Sequence, residues 1–424
     1  MLKIALIGAG SFVFGPSVLY DAIVEHALPG LHLALVDKSK PMVDLMASVG
    51  KRMARDASSD VTITVHTEWD DALAKADFVI CAAAVQLQAR FLKDVEIIDR
   101  LSPGHLVTEF GGVAGISYSL RQIALITQLA SAMKRLCPKA WLLCASNPLA
   151  RVCEAASRSG IRTAGFCCNS MGAYGAIGRV WHGRKESFPW PKTREQYQAT
   201  MAGVNHFTFI TDLRDRRSGA SLGGVLVDAV TREPSAVGAR TAALATETGY
   251  YPANGDDHMR DFLVPDASSQ PLEMSSHGNA EERDARIKLL TAVAAGTTPV
   301  SALLDHRAWE RPIDFAAALS AGRATHFHSL NLKNDGQIPN LPRGAFVETP
   351  ADVDATGVRP QAVELPPSVE KYNRPAAELN QLVVAAGLAG DEKLLKDAVK
   401  RDPTILDKKA GWKSLQECLR VNPA

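Results

Sequence analysis

Short apolar runs recur along the first half of this chain, and each is followed by a stretch long enough to form a helix. The runs cover residues 3–8, 31–37, 61–67, 77–84, 105–108, 141–146 and 163–167. Strands that alternate with helices form βαβ units, whose strands are parallel. The runs are continuously apolar, as in IALIG and FVICAAA, which is typical of strands buried on both faces. The sequence therefore predicts an α/β fold with a Rossmann-like, doubly wound parallel sheet.

This pattern breaks near residue 190, where two prolines and several charges interrupt it. We place a domain boundary there, with a Rossmann-like domain in residues 1–190 and a packed α+β domain in residues 191–424. Within the second domain the sequence predicts strands of a second layer over residues 197–215, a strand over residues 345–348, and helices within residues 224–321 and 367–421.

Charge and cysteine content limit what this chain does and where it works. Its 47 lysine and arginine residues are balanced by 46 aspartate and glutamate residues, so no net positive charge attracts nucleic acid or an anionic membrane. The seven cysteines form no CxxC pair, which is typical of reduced thiols. No apolar stretch reaches the ~20 residues that a membrane-spanning helix needs. We expect a cytoplasmic enzyme with neither nucleic acid nor membrane as partner.

The turn after the first apolar run has the features of a dinucleotide site. Gly8 permits a tight turn, and Gly10 lets a pyrophosphate approach the backbone. Ser11 and Phe12 follow, but a valine stands where G-x-G-x-x-G has its third glycine. Asp37 ends the second run, where a carboxylate accepts hydrogen bonds from ribose hydroxyls and repels a 2′-phosphate. We expect NAD rather than NADP; the alternative is a glycine-turn α/β protein without a cofactor.

Further polar residues follow later runs at the same edge of the predicted sheet. Ligands bind at the carboxyl ends of parallel strands, so Asn147 would face nicotinamide and substrate; an ordinary Asn-Pro turn is the alternative. Cys167 ends the next run, and His206 follows 39 residues later. A thiolate and an imidazole that meet there would hold a divalent cation. Core packing of both side chains is the alternative.

A third group of reactive side chains lies within residues 250–258. Tyr251, Asp256, Asp257 and His258 are concentrated in this short segment. Loops dense in such groups often perform acid–base chemistry, although a polar surface loop has the same composition.

Taken together, these motifs resemble those of family 4 glycoside hydrolases over nearly the whole chain. The shared motifs, in order, are GAGS at the start, Glu109-Phe110-Gly111-Gly112 before the helix of Arg121, Asn147-Pro148, Gly165-Phe166-Cys167, Gly203-x-Asn205-His206, Gly255-Asp256-x-His258 and the segment 334–342. The resemblance implies a lactate/malate dehydrogenase-like architecture and a homodimer or homotetramer.

The resemblance also implies an unusual chemistry that uses NAD and a divalent metal, usually manganese. Such enzymes oxidise the sugar at C3, remove the C2 proton, expel the aglycone from C1, add water and return the hydride. The family is an exception to hydrolysis by two carboxylates. Cysteine and histidine ligands suit zinc or iron better than manganese, so the assignment of Mn²⁺ depends on the resemblance alone.

Residue roles follow from the resemblance by position. Cys167 and His206 match the metal ligands. Asn147, Asn169 and His258 match substrate-binding positions, Asn147 also lying at the cofactor. Asp256 is the first choice for the base at C2, Tyr251 the second, and Asp257 a neighbour with similar chemistry. The Gly-Asp-x-His form resembles the members that act on α-linked uronic acids or other unphosphorylated sugars.

Cys168 departs from the family pattern, because relatives commonly have His, Asp or Asn at a position linked to leaving-group protonation or substrate contact. A thiol with a pKa near 8.5 is able to donate a proton, so Cys168 is a catalytic candidate. Two other functions stay open: an NAD-dependent 2-hydroxyacid dehydrogenase, and a cofactor-binding relative with altered catalysis.

Overall fold

A computed structural model of the chain describes residues 1–182, 190–266, 269 and 280–424, and these residues form one twelve-stranded sheet. Six parallel strands are ordered β3-β2-β1-β4-β5-β6, which is the strand order of Rossmann folds. They are β1 (Leu2–Ile7), β2 (Leu31–Val36), β3 (Thr62–His66), β4 (Phe78–Cys81), β5 (Trp141–Cys144) and β6 (Arg162–Gly165). The predicted α/β class and doubly wound parallel sheet are confirmed.

One predicted strand is wrong. Residues 105–108 have no regular secondary structure and lead into a long helix. The Thr108 hydroxyl donates to the carbonyl of Gly111 and accepts from its N–H, so local hydrogen bonds close a turn there. Thr108 thus makes the local hydrogen bonds of a turn, and residues 105–108 do not pair with a neighbouring strand.

The remaining strands extend the same sheet in antiparallel fashion. They are β7 (Tyr197–Val204), β8 (Phe207–Asp215), β9 (Tyr251–Pro252), β10 (Thr325–Lys333), β11 (Phe346–Asp354) and β12 (Gly357–Pro360). Asn331 of β10 pairs with Gly165 of β6 and so joins the two halves. The expected second layer over residues 197–215 is therefore wrong, because β7 and β8 continue this sheet beyond the edge of β6. The boundary at residue 190 stays a prediction.

Helices cover both faces of the parallel strands. They are α1 (Phe14–Tyr20), α2 (Lys40–Asp56), α3 (Asp70–Leu73), α4 (Leu87–Leu101), α5 (Gly112–Leu136), α6 (Leu149–Arg158), α7 (Asn169–His182), α8 (Trp190–Gln196), α9 (Gly223–Arg232), α10 (Ala239–Thr248), α11 (Asp256–Met259), α12 (Ala280–Ala295), α13 (Pro312–Ala321), α14 (Pro367–Ala389), α15 (Glu392–Arg401) and α16 (Lys408–Val421). One core lies between the sheet and α5, α6, α14 and α16, and another between the sheet and α1, α2, α12 and α13. Among the described residues, no helix has the length and apolar character needed to cross a membrane.

Candidate active site

The turn after β1 lines a cleft of about 770 Å³ at the carboxyl ends of β1, β2 and β4. Gly8, Gly10, Ser11, Phe12 and Asp37 all contribute to its wall. Gly8 has φ +84°, and a Cβ atom there would come within 2.9 Å of the backbone after β4, so only glycine fits. The structure thus brings these five predicted cofactor residues together.

Hydrogen bonds hold the polar side chains of this cleft in place. The Ser11 hydroxyl accepts from the backbone N–H of Phe14 at 3.2 Å, at the start of α1. Asp37 Oδ2 accepts from the N–H of Gly10 at 2.9 Å, and Oδ1 from the N–H of Ser39 at 2.8 Å. Each carboxylate oxygen keeps a further lone pair, so ligand hydroxyls are still able to donate to it.

Cys167 and His206 meet at the adjoining part of the sheet edge. Cys167 follows β6, His206 follows β7, and Sγ lies 3.2 Å from Nε2. The thiol of Cys168 and burial raise the pKa of Cys167. Burial also lowers the pKa of His206. The structure therefore brings the side chains of Cys167 and His206 into contact, as the sequence predicts.

His206 is held in an unusual backbone conformation. It is the second residue of the two-residue turn between β7 and β8, and its φ is +138°. Non-glycine residues rarely adopt positive φ, and such strain clusters at functional sites. The side chain of Asn254 helps to hold the turn, because its Nδ2 donates to the His206 carbonyl at 2.9 Å.

A fully buried carboxylate, Glu348 of β11, ties these elements together. Its Oε2 accepts from Nδ2 of Asn169 and Nδ2 of Asn205, both at 3.0 Å, and its Oε1 accepts from the Ser329 hydroxyl. Burial raises the pKa of Glu348 to about 7. Asn169 is two residues from Cys167 and Asn205 adjoins His206, so Glu348 fixes the spacing of the two candidate ligands. The predicted substrate residue Asn169 also accepts from Asn254 at 3.1 Å.

A second buried acidic group lies on the His206 side. The ring centroids of His206 and His258 are 4.7 Å apart. Burial would lower the pKa of His258, but the carboxyl groups of Asp257 (2.9 Å from Nδ1), Asp261 and Glu109 together raise it. Burial raises the pKa of Asp261 and of Glu109 to about 7. The structure thus places the predicted substrate residue His258 beside the candidate metal pair.

Asn147 lies in this acidic group. Its side chain is hydrogen-bonded to the carboxyl group of Glu109. This contact places Asn147 beside Glu109, while other residues form the wall of the 770 Å³ cleft. Its contact with a cofactor stays a prediction.

Asp256 has a structural role that the sequence did not reveal. Its Oδ1 accepts from the N–H and the hydroxyl of Thr241, both at 2.7 Å, and its Oδ2 from the N–H of Arg240 at 3.2 Å. Gly238 precedes α10 and has no side chain with which to cap it. Asp256 therefore caps the N-terminus of α10 from a distance.

Tyr251 and Cys168 complete the predicted catalytic residues. Tyr251 is buried in the cluster that includes Ala173 of α7, and burial raises its pKa. Cys168 is half-buried, and its thiol contacts Cys167 on one side and the carboxyl group of Glu310 on the other. The catalytic roles of all three residues stay predictions.

Comparison with known proteins assigns the chain to a family. Residues 3–181 match the model of family 4 glycosyl hydrolases, and residues 201–405 match that of the family's C-terminal domain. The chain belongs to family 4 of the glycosyl hydrolases. The resemblance inferred from the motifs is confirmed, and this membership replaces the 2-hydroxyacid dehydrogenase alternative.

Relatives of this family 4 member align over most of their length. It is 26% identical over 428 residues to an alpha-galactosidase of Rhizobium meliloti, covering 95% of this chain and 84% of that protein. It is 25% identical over 435 residues to an alpha-galacturonidase of Bacillus subtilis, covering 95% and 93%. A 6-phospho-alpha-glucosidase from gut microorganisms, solved with NAD and Mn²⁺, superimposes with a TM-score of 0.78 at 20% identity, covering 99% and 98%. The expected dehydrogenase-like architecture is also confirmed, since malate dehydrogenase of Plasmodium falciparum matches with a TM-score of 0.52 at 14% identity, covering 92% and 99%.

The geometry fits a cation at Cys167 and His206. Bonds of ~2.3 Å to sulfur and ~2.1 Å to nitrogen, the lengths typical of zinc, let one cation contact both atoms when these are no more than roughly 4.4 Å apart. The observed separation of 3.2 Å agrees. Within the described residues, no group of three or more His, Cys, Asp or Glu side chains could hold a metal ion, so the candidate site consists of this pair alone.

Several residues of this site have little signal in the sequence. Glu348 is the last residue of the predicted strand 345–348, where a charged residue would ordinarily point to solvent. Asp261 and Glu310 lie in irregular segments that match no motif. A buried carboxylate is recognisable only once the surrounding strands and loops are placed.

Proposed function

We propose that this chain is an NAD- and Mn²⁺-dependent glycosidase that cleaves an α-linked, unphosphorylated glycoside, with a uronic acid as the first choice of sugar. The contact between Cys167 and His206, beside the cleft at Asp37, is the observation that supports this most directly. The relatives named alpha-galactosidase and alpha-galacturonidase support the α-linkage and the sugar class. A cytoplasmic homodimer or homotetramer remains part of the prediction.

The two cofactors would supply a hydride acceptor and a Lewis acid at the sugar. The glycoside would then react by oxidation at C3, deprotonation at C2, elimination of the C1 substituent, addition of water and re-reduction. Cys167 and His206 would hold the cation, and the glycine turn with Asp37 would hold NAD.

This chain's own residues would bind the sugar and move its protons. Asn147 and Asn169 are held by buried carboxylates, so their amides are oriented before the sugar arrives. Between the two candidate bases, we choose Tyr251 over Asp256. The Asp256 carboxylate already accepts three hydrogen bonds at a helix N-terminus, so its oxygens are engaged in capping α10. Arg179 lowers the pKa of Tyr251 and so favours its phenolate, while burial and the Asp256 carboxylate raise that pKa.

A panel of α-glycosides tests this proposal. We expect cleavage of an α-linked uronide or hexoside only when NAD, Mn²⁺ and a thiol reductant are all present, with no net NADH formed. Each component is omitted in turn, and released aglycone and absorbance at the NADH band are both recorded. Stoichiometric NADH release with an oxidised product would contradict the proposal and indicate a dehydrogenase.

Asp37 should make the protein selective for NAD. A 2′-phosphate would lie against an ionised carboxylate, so NAD should bind at least about tenfold more tightly than NADP, which corresponds to ~1.4 kcal/mol. Asp37→Asn should reduce that preference, while Asp44→Asn, an exposed change on α2, should leave it unaltered. Calorimetric titration measures all three proteins, and equal affinities of the parent protein for the two nucleotides would exclude this role.

A further inference from the structure

The segment 307–311, which we call the strap, is fixed to the helix that starts at the cofactor cleft. Its contacts go to three side chains spaced four residues apart on α1 and the π-helical turn that follows it (Asp21–Glu25). The N–H of Ala308 donates to the Ser17 hydroxyl at 2.8 Å, Arg307 Nε to Asp21 Oδ1 at 2.7 Å, and Arg311 Nη2 to Glu25 Oε1 at 2.7 Å. With anchors on both sides of residue 310, the strap has little freedom to move.

Glu310 lies between these anchors and reaches the reactive edge of the sheet. Its carboxyl group is hydrogen-bonded to the Cys168 thiol, the backbone N–H of Trp309 and its own N–H. Burial raises the pKa of Glu310. The hydrogen bonds from the Cys168 thiol and the two backbone N–H groups lower that pKa, but by less than burial raises it. This carboxyl group therefore keeps its proton more readily than an exposed one would.

Glu310 and the other buried acids are near different members of the Cys167–His206 pair. The negative charge of an ionised Glu310 raises the pKa of Cys167. Glu109 and Asp261 instead raise the pKa of His258, whose ring packs against that of His206. The pair thus has buried carboxyl groups near both members: Glu109 and Asp261 through His258 at His206, and Glu310 through Cys168 at Cys167.

We propose that Glu310 is the acid that protonates the departing oxygen of the glycoside, with Cys168 as the contact that orients its carboxyl group. This inference rests on the proposed function. As the base takes the C2 proton, the C2–H electron pair forms the C1=C2 bond and the C1–O bond breaks. The leaving oxygen takes the proton of Glu310, which becomes a carboxylate. When water adds to C1, its proton returns to Glu310, so atoms and charge balance over the cycle.

Leaving-group dependence tests this assignment. An alcohol needs a proton to leave and a nitrophenol does not, so Glu310→Gln should slow cleavage of a methyl glycoside by about 10²-fold or more and that of the matching 4-nitrophenyl glycoside by only a few-fold. Glu310→Asp should fall between Gln and the parent. Asp305→Asn, an exposed carboxylate change just before the strap, should behave as the parent.

A second measurement separates this role from a structural one. In D₂O, Glu310→Gln should exchange the C2 hydrogen of recovered methyl glycoside faster than it cleaves that substrate, because deprotonation proceeds while expulsion stalls. NAD affinity and melting temperature should match the parent. An equal loss with both leaving groups, with no excess exchange, would overturn the role of Glu310 alone. A parent protein that cleaves neither substrate with both cofactors would overturn the proposed function and this inference together.

Discussion

Cys167→Ser and His206→Ala should each reduce glycoside cleavage to background while NAD still binds. The two ligand atoms are 3.2 Å apart, and removing either leaves one protein ligand for the cation. The loss should exceed the ~10–100-fold that removal of an outer-shell partner typically costs. Turnover with excess Mn²⁺, Mn²⁺ affinity by electron paramagnetic resonance, and NAD affinity by calorimetry form the test.

Two controls make this result specific. His66→Gln changes a histidine of β3 that bonds Thr64, so it should retain both activity and Mn²⁺ affinity. A chelator should inactivate the parent protein, and added Mn²⁺ should restore it. Normal turnover by chelated, metal-free protein would show that Cys167 and His206 are only packed together. Peroxide should also inactivate the parent protein, since only the reduced thiolate binds a metal.

The sequence predicted those features that depend on local pattern. Continuous apolar runs indicate buried parallel strands, and all six parallel strands were bounded to within about three residues at each end. Cys167 and His206 were paired because both follow strands at one sheet edge. The run 105–108 failed because its residues 106–108 are buried without pairing in the sheet, and the Thr108 hydroxyl closes a turn with Gly111.

What the sequence could not predict depends on tertiary register. Glu348 meets Asn169 and Asn205 only because β11 lies between β10 and β7, a strand order that no local pattern encodes. Asp256 caps a helix whose own preceding residue is Gly238, and the capping group comes from beyond the end of that helix. Which of Asp256 and Tyr251 is the base stays a prediction.

Removal of the C2 proton should be visible as isotope exchange. When the parent protein cleaves its substrate in D₂O, the released sugar should contain deuterium at C2. Substrate deuterated at C2 should react more slowly wherever proton removal is partly rate-limiting. Displacement at C1 by two carboxylates would leave the C2 hydrogen untouched. Complete retention of that hydrogen would overturn the mechanism, whatever the cofactor requirement proves to be.

Variants of the two candidate bases should then respond differently. Tyr251→Phe, which keeps the buried ring, should abolish C2 exchange and cleavage but spare the first hydride transfer, so NADH absorbance should build up on the enzyme. Asp256→Asn should retain exchange and instead lose about 0.5–2 kcal/mol of stability, because α10 loses the carboxylate that caps it. Exchange by nuclear magnetic resonance and thermal unfolding are measured on both variants. Loss of exchange in Asp256→Asn, with normal exchange in Tyr251→Phe, would reverse the assignment and make the helix cap the base.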